Sequence, residues 1–305
     1  MTAALAVLYE HPRWFEPLFA ALERRGIETG RVDARDLVLD LSSPWPPARV
    51  VFNRVAMSAP LRDPEHCIFH AMAALDHWRR AGTRIVNGPE VMAIDASKAR
   101  QLSLIGALGL SMPRTIVIHR LAELPRAARG VGFPLLVKAN IGGAGAGIMR
   151  FNSIDEIESA IARGTVPQSV DQVLLVQSYV EPRGQRICRI ETLNGKFLYA
   201  LDIEVDGNFD LCPADACLVP GRAVKMTAVQ PTADLVAAAE AIAVAAGLDV
   251  GGVEFVVDDR DGTPRFYDIN ALSNFVANPL DVLGWDPHDR LVDYLATKID
   301  ERNAA

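Results

Sequence analysis

The stretch FPLLVKANIGGAGAGIMRF, residues 133–151, decides the fold class of this chain. An apolar run ends at Lys138, a glycine-rich loop follows, and a second apolar run begins at Ile148. The loop glycines are Gly142, Gly143, Gly145 and Gly147. Glycines allow a backbone to approach phosphate groups closely with its N–H groups pointing inward. Because a lysine at the end of the preceding strand can reach the same phosphates, the pattern predicts a strand, a phosphate-covering loop and a second strand.

Known phosphate-binding loops differ in where the lysine stands and in which element follows the glycines. A Walker A loop places its lysine after the glycines and leads into a helix, and a dinucleotide fingerprint also leads into a helix. A glycine loop between two strands resembles the flap of protein kinases, but no H-R-D or D-F-G element follows. From this stretch alone, a glycine hairpin that binds no ligand remains an alternative.

A pair of acidic strands lies near the C-terminus. Residues 251–258 read GGVEFVVD, and residues 266–270 read FYDIN after a turn. Asp268 and Asn270 are two residues apart and therefore face the same side of a strand, where Glu254 on the preceding strand can lie opposite them. Two carboxylates and an amide oxygen are hard ligands that suit Mg²⁺. The alternative is a hairpin whose acids face solvent.

The pattern of apolar segments predicts an α/β protein whose N-terminal part contains a parallel sheet. In the first 90 residues, strand-like runs alternate with amphipathic helical ones, which implies a parallel sheet covered on both faces. Ligands of such sheets bind at the carboxyl ends of the strands, where Arg54 lies. Arg54 is a candidate for binding a substrate carboxylate or an acyl-phosphate, with an ordinary surface arginine as the alternative. Asp95 is predicted to cap a helix that reaches about Leu108.

Composition limits the classes of partner and compartment. The chain has 305 residues and a net charge of −7, which argues against nucleic acid or an anionic membrane as its main partner. No apolar run approaches the roughly 20 residues of a membrane span. The cysteines form no C-x-x-C pair and are expected to be reduced thiols of a cytoplasmic protein. They are Cys67, Cys188, Cys212 and Cys217.

The order of these parts resembles the ATP-grasp superfamily, in the branch of glutathione synthetase and the ribosomal-protein glutamate ligases. The resemblance covers about residues 95–293 and rests on five segments. They are the pair at 97–98 ahead of GLSMPRT (109–115), the glycine-loop stretch 133–147, LVQSYV (175–180), the acidic strand 251–258 and the triplet 268–270. The implied fold is an N-terminal α/β domain (residues 1–94) followed by an ATP-grasp fold of two lobes, residues 95–180 and 181–305.

The resemblance also implies roles for individual residues. Lys98 and Lys138 would contact the phosphates of ATP beneath the glycine loop. The hinge would offer backbone groups to adenine through Gln177, Ser178, Tyr179 and Val180. One or two Mg²⁺ ions, or Mn²⁺ in their place, would bind Glu254, Asp268 and Asn270. Arg189 would neutralise the transferred phosphoryl group. Many relatives have an acid that binds the ribose at the position of Ile187. In this chain Glu181 or Gln185 is therefore the candidate for the ribose contact.

The implied reaction joins a carboxylate to an amine through an acyl-phosphate, with release of ADP and phosphate. Lys138, Arg189 and Arg54 are the catalytic candidates, and segment 208–214 is a candidate for the acceptor site, with a plain loop as the alternative. The expected partners are small-molecule carboxylates and amines, and a homodimer is the expected assembly. A small-molecule kinase on the same fold and an ATP-binding regulatory protein without turnover remain as alternatives.

Overall fold

In the computed structural model of the chain, residues 3–11, 13–43, 46–143, 145, 147–204, 225–272 and 274–304 are described. Cys212, Cys217 and the candidate segment 208–214 lie outside the described residues. Cys67 and Cys188 are free cysteines.

The described residues form three sheets and the helices that cover them. The strands are β1 (Ala3–Tyr9), β2 (Thr29–Asp33), β3 (Ala48–Arg54), β4 (Arg84–Val86), β5 (Thr115–Ile118), β6 (Leu135–Ala139), β7 (Ile148–Phe151), β8 (Leu174–Ser178), β9 (Pro182–Leu193), β10 (Lys196–Glu204), β11 (Met226–Val229), β12 (Val250–Asp258) and β13 (Pro264–Asn270). The α-helices are α1 (Glu16–Arg24), α2 (Ile68–Arg80), α3 (Pro89–Asp95), α4 (Lys98–Ala107), α5 (Leu124–Val131), α6 (Ile154–Arg163), α7 (Ala233–Ala246), α8 (Pro279–Leu283) and α9 (Pro287–Ala304). Strand β11 and helices α3 and α8 were not predicted from the sequence.

The first sheet is parallel, with the strand order β2-β1-β3-β4. Its central strand β1 is apolar on both faces because each face packs on helices. Leu5 and Val7 belong to the core cluster of α1, whereas Leu8 belongs to the cluster of α2. The predicted N-terminal parallel sheet is therefore confirmed.

The second sheet is antiparallel, with the order β5-β8-β6-β7. Strands β6 and β7 pair from Leu135 with Phe151 to Lys138 with Ile148, so the glycine loop joins two neighbouring strands. This confirms the predicted arrangement of strand, loop and strand. Strand β8 extends further than predicted, and it includes Gln177 and Ser178.

The third sheet is antiparallel, with the order β11-β10-β9-β12-β13. Asn194 and Gly195 form the tight turn between β9 and β10, with φ of 53° and 70°, which fits the predicted hairpin. Helix α7 covers one face of this sheet through Ala239, Ile242 and Ala243. The opposite face carries the charged residues described below.

The predicted cap at Asp95 is wrong. The chain forms two helices here, and Ser97 caps the second one, since its Oγ accepts a hydrogen bond from the N–H of Arg100 at 3.3 Å. Asp95 ends α3, and its Oδ1 instead accepts the N–H of Ala271 at 3.1 Å. Ser97 has the extended backbone of a capping residue, whereas the Asp95 side chain is drawn to a segment remote in sequence.

Two helices connect the sheets. Helix α4 packs on β13 of the third sheet, and α9 returns from the C-terminal end of the chain to pack on α1 and β3 of the first sheet. The ion pair of Arg24 with Asp289, at 3.2 Å, joins α1 to α9.

The predicted domain boundaries, which are residues 1–94, 95–180 and 181–305, stay a prediction. None of the described helices combines the length and hydrophobicity needed to cross a bilayer.

Candidate active site

An open cleft lies where the three sheets meet. The predicted site residues on its wall are Lys98, Lys138, Gly142, Gly143, Gly145, Gln177, Ser178, Tyr179, Val180, Arg189, Glu254, Asp268 and Asn270. Arg54 and Gly147 are not on the wall. Residues that are widely separated in sequence are thus collected around one cavity, which is the usual form of a ligand site.

Three charged side chains form a row across the third sheet. Glu254 on β12 is in register with Arg189 on β9 and with Asp268 on β13. Directly opposed residues of an antiparallel sheet point to the same face, and all three line the cleft. The predicted opposition of Glu254 and Asp268 is confirmed.

The carboxylate of Glu254 is held by three donors. Arg189 Nη1 and Asn270 Nδ2 both donate to its Oε1 at 3.2 Å, and Tyr267 Oη donates to its Oε2 at 3.0 Å. Burial raises the pKa of Glu254 and outweighs the opposing effect of Arg189, and the negative charge of Asp268 raises it further. A cation bound beside Glu254 and Asp268 would lower the pKa of Glu254 again, because it counters both the burial of the charge and the repulsion between the two acids.

Lys98 faces the other acid of the row. Because Ser97 is the capping residue, Lys98 begins α4, and its Nζ lies 2.5 Å from Asp268 Oδ1. Burial by itself would lower the pKa of Lys98, but the attraction of Asp268 outweighs it and the pKa lies above its usual value. The pair keeps both charges inside the cleft.

Lys138 on β6 has a different environment. It is buried, and its Nζ lies 5.2 Å from the centre of the Tyr267 ring. Within the described part of the chain it makes no ion pair within 4 Å. Burial and the neighbouring Lys98 lower the pKa of Lys138 to about 8. An anion bound here would therefore be attracted to both lysines.

The glycine loop closes the cleft against the first sheet. A Cβ atom added to Gly143 would lie 3.1 Å from the Cβ of Ser58, so the loop approaches the segment after β3 closely. Gly147 has φ of 71°, and an added Cβ would lie 3.0 Å from that of Ala139. Asn140 anchors the base of the loop, since its Nδ2 donates to Asp171 Oδ2 at 2.6 Å.

Two N–H groups of the predicted hinge are already bonded within the protein. The N–H of Ser178 donates to Arg114 O at 2.8 Å, and the N–H of Tyr179 donates to Pro134 O at 3.0 Å. Val180 lines the cleft, and its N–H has no hydrogen-bond partner among the residues described. Val180 is therefore the hinge residue whose N–H is available to a base.

The side chains around the hinge are largely apolar or already bonded. Gln177 is buried, and its Nε2 donates to Thr115 Oγ1 at 2.9 Å. Ile187 lines the cleft at the place where a ribose-binding acid was expected. In the described structure neither Glu181 nor Gln185 is on the cleft wall, and a contact of either with the ribose stays a prediction.

Arg54 lies behind the wall of the cleft, and its predicted direct contact with substrate stays a prediction. It is buried against the rings of Phe15 and Phe52, at 5.5 and 5.0 Å, and burial lowers its pKa to about 9. Its Nη2 donates to Oδ1 of Asn274 at 2.9 Å, and Asn274 is on the wall. Arg54 therefore positions Asn274 and adds positive charge behind it.

Sequence reasoning missed several members of the site. Glu191 is buried two residues after Arg189 on the same face of β9, and its Oε1 accepts from Arg189 Nε at 2.6 Å. This pair lies over Gly252, where an added Cβ would be 2.7 Å from Arg189 Nε. The two-residue spacing of Arg189 and Glu191, and a glycine inside the neighbouring strand, are the sequence features that could have indicated this pair. Glu191 holds Arg189 without lining the cleft itself, whereas Asp95 is on the cleft wall, and no local pattern indicates this.

The donor set in the row fits a hard divalent metal ion. Among the described residues, Asp268 Oδ2 and the side-chain oxygen of Asn270 accept no hydrogen bond. The described part of the chain contains no group of three or more His, Cys, Asp and Glu side chains that could bind a metal. The amide of Asn270 is therefore needed beside the carboxylates of Glu254 and Asp268, as Mg²⁺ coordination allows.

The described residues form an α/β protein in which three sheets meet at one cleft beside a glycine-rich loop. No protein-family model matches the chain. A "Probable alpha-L-glutamate ligase" of Marinomonas sp. (strain MWYL1) is 24% identical over 210 residues. The aligned part covers 65% of this chain and 66% of that protein, so the chain spans just under two thirds of the length of this relative. A protein of the same name from Stutzerimonas stutzeri (strain A1501) is 24% identical over 305 aligned residues, 95% of this chain and 94% of that protein.

Solved structures share this architecture. D-cycloserine synthetase DcsG superposes with a TM-score of 0.72 at 20% identity, over 97% of this chain and 99% of that one. The ATP-grasp ligase PsnB, solved with a minimal precursor, Mg and ADP, superposes with a TM-score of 0.69 at 18% identity, over 97% of each chain. The chain has the ATP-grasp fold, and the resemblance inferred from its sequence is confirmed.

Proposed function

We propose that this chain is an ATP-dependent ligase that joins a carboxylate to an amine through an acyl-phosphate and releases ADP and phosphate. The observation that carries the proposal is the row of Arg189, Glu254 and Asp268, which faces Lys98 and Lys138 in one cleft beneath a glycine loop. The ligases among the similar proteins support the same reaction class.

ATP would lie along the cleft with its base at Val180 and its phosphates at Lys98 and Lys138. The N–H of Val180 would donate to the base, and Gly142, Gly143, Gly145 and Gly147 would shape the loop over the phosphates. One or two Mg²⁺ ions, or Mn²⁺ as a substitute, would bind Glu254, Asp268 and Asn270 and would neutralise charge on the phosphates.

In the first step the substrate carboxylate attacks the γ-phosphorus of ATP, and the bond to the bridging oxygen breaks to leave ADP. Negative charge gathers on the phosphoryl oxygens, where Lys98, Lys138 and Arg189 stabilise it by position and charge. In the second step the amine attacks the acyl carbon, and phosphate leaves. The glycine loop, closed against Ser58, excludes water that would hydrolyse the acyl-phosphate.

Several finer assignments belong to the same proposal. The substrates would be small molecules, the assembly a homodimer and the compartment the cytoplasm, with neither nucleic acid nor a membrane as partner. The domains would be residues 1–94, 95–180 and 181–305. Arg54 would act through Asn274 at the end of the cleft that receives the substrates.

The test measures nucleotide release by the purified protein with Mg·ATP and pools of carboxylic acids, amino acids, small peptides and amines. We expect ADP and phosphate only in the presence of particular pools, and no release by the Asp268→Ala variant. AMP and pyrophosphate would contradict the acyl-phosphate route. ADP with a phosphorylated hydroxyl product would identify a small-molecule kinase, and ATP binding without release in any pool would favour a regulatory protein.

A further inference from the structure

Asp95 presents an acidic group to the cleft that no described cation pairs with directly. Its Oδ1 accepts the N–H of Ala271 at 3.1 Å, and its other oxygen has no hydrogen-bond partner among the described residues. Within the part of the chain that the structure describes, no Lys, Arg or His lies within 4 Å of its carboxylate. Asp95 lines the cleft, so its unpaired oxygen is accessible to a ligand.

The other acids of the cleft already have cationic partners. Asp268 pairs with Lys98 at 2.5 Å, and Glu254 pairs with Arg189 at 3.2 Å. Burying a carboxylate without a partner is unfavourable, and burial raises the pKa of Asp95 to about 7. A ligand that brings a positive charge would remove this penalty, whereas a carboxylate or phosphate would increase it.

The carboxylate of Asp95 makes no hydrogen bond or ion pair with Lys138 or with the hinge among the described residues, and its direct partner is the N–H of Ala271. The charges that act on Asp95 are Asp268, Lys98 and Arg54, whereas those that act on Lys138 are Lys98, Asp268 and Glu254. Arg54, which is not on the cleft wall, is thus a neighbour of Asp95 and not of Lys138.

The neighbours of Asp95 place it between two of the sheets. Ala271 directly follows Asn270 at the end of β13, and Ala96 packs in one apolar cluster with Met57, which lines the cleft after β3. This is the junction of the first and third sheets, where a second substrate can reach an acyl group formed at the row.

We propose that Asp95 binds the ammonium group of the amine that accepts the acyl group. The inference rests on the proposed ligase function and names a primary amine, protonated when it binds, as the acceptor class. Asp95 would thus set the affinity for the amine and its selection over neutral nucleophiles, without contacting ATP. The bound ammonium gives one proton to water, and the freed nitrogen then attacks the acyl carbon as phosphate leaves.

The experiment compares two nucleophiles in the full-length enzyme. Once a pool has yielded a carboxylate and amine pair, the Asp95→Asn variant is assayed with that amine and, separately, with hydroxylamine, which is uncharged at neutral pH and traps acyl-phosphates as hydroxamates. The asparagine oxygen can still accept the N–H of Ala271, so only the charge is removed. Loss of a charged hydrogen bond predicts a fall in kcat/KM for the amine of roughly 10- to 150-fold, mainly through KM.

We expect hydroxamate formation and the KM values of ATP and the carboxylate to stay within about twofold of wild type, since Asp95 does not contact them in the proposed arrangement. Asp281→Asn, at an exposed acid in the first turn of α8, is the matched control and should leave both reactions unchanged. Asp95→Ser also removes the charge and keeps an acceptor oxygen, and it replaces Asp95→Asn if that variant does not fold.

Each outcome gives a different answer. Equal loss with amine and hydroxylamine would overturn the inference, because Asp95 would then act on the carboxylate or on phosphoryl transfer. Unchanged kinetics with the amine would also overturn it and leave the ligase function intact. No carboxylate-dependent ADP release by the wild-type enzyme would refute the proposed function itself, and the inference with it.

Discussion

Replacing Gly252 with alanine tests whether the position of Arg189 matters for turnover. Gly252 lies on β12 beneath the buried pair of Arg189 and Glu191. An added Cβ would be 2.7 Å from Arg189 Nε and 2.8 Å from Glu191 Oε1, and ordinary carbon contacts are about 3.5–4.0 Å. The alanine methyl therefore requires the two side chains to move by roughly 0.7–1 Å.

Arg189 cannot move freely by this amount because it is held at both ends. Its Nε donates to Glu191 at 2.6 Å and its Nη1 donates to Glu254 at 3.2 Å, and all three side chains are largely buried. Overpacking a buried site costs about 1–3 kcal/mol of the free energy of unfolding. A displacement of about 1 Å in a catalytic group costs on the order of 100-fold in rate. We therefore expect a moderate loss of stability and a larger loss of turnover.

Urea unfolding measures the first effect, and ADP release with the identified substrates measures the second. Gly30→Ala is the matched control because Gly30 is also in a strand, β2, and an added Cβ there would lie 3.4 Å from that of Ala6, an ordinary contact. The control should keep wild-type turnover. Turnover of Gly252→Ala within twofold of wild type would refute the assignment of Arg189.

The remaining predictions concern the lysines and their acid. Lys138→Ala and Asp268→Ala should each abolish ATP turnover with the circular dichroism spectrum unchanged, and near-normal turnover in either would remove the assigned role. The phosphates of ATP favour the protonated form of Lys138, so the affinity for ATP should fall as the pH rises through the Lys138 pKa of about 8. Calorimetric titrations should show a fall of about tenfold between pH 7 and 9, and Lys138→Arg should abolish this pH dependence. Without ligand, Lys98→Met should lower the free energy of unfolding by about 1–3 kcal/mol, because Asp268 loses its hydrogen-bond partner, whereas Lys138→Met should not lower it in urea titrations.

The parts of the site that depend on local pattern were predictable from the sequence. The two-residue period of a strand places Asp268 and Asn270 on one face, and a short turn brings Glu254 opposite them, as the register shows. The apolar runs on each side of the glycine loop have the length of strands, and they pair as β6 and β7. These features require only neighbours in the chain.

The parts that depend on long-range contacts were not predictable. Asp95 and Ser97 are both good capping residues, and the hydrogen bond from Ala271, far along the chain, draws Asp95 away from the helix. Arg54 does end a strand, as predicted, but Asn274 occupies the wall in front of it. No local period indicates which remote segment covers a strand end.

Burial of charge in the cleft links these observations. Asp268 with Lys98, and Arg189 with Glu191 and Glu254, neutralise one another, so the fold can hold these groups away from water without a ligand. Lys138 and Asp95 lack such close partners among the described residues, and burial moves the pKa of each toward its neutral form. Lys138 would gain a partner from a bound anion, and Asp95 would gain one from a bound cation. In the proposed arrangement the phosphates of ATP bring the negative charge to Lys138 and the ammonium of the amine acceptor brings the positive charge to Asp95, so each of these two groups would bind one of the substrates.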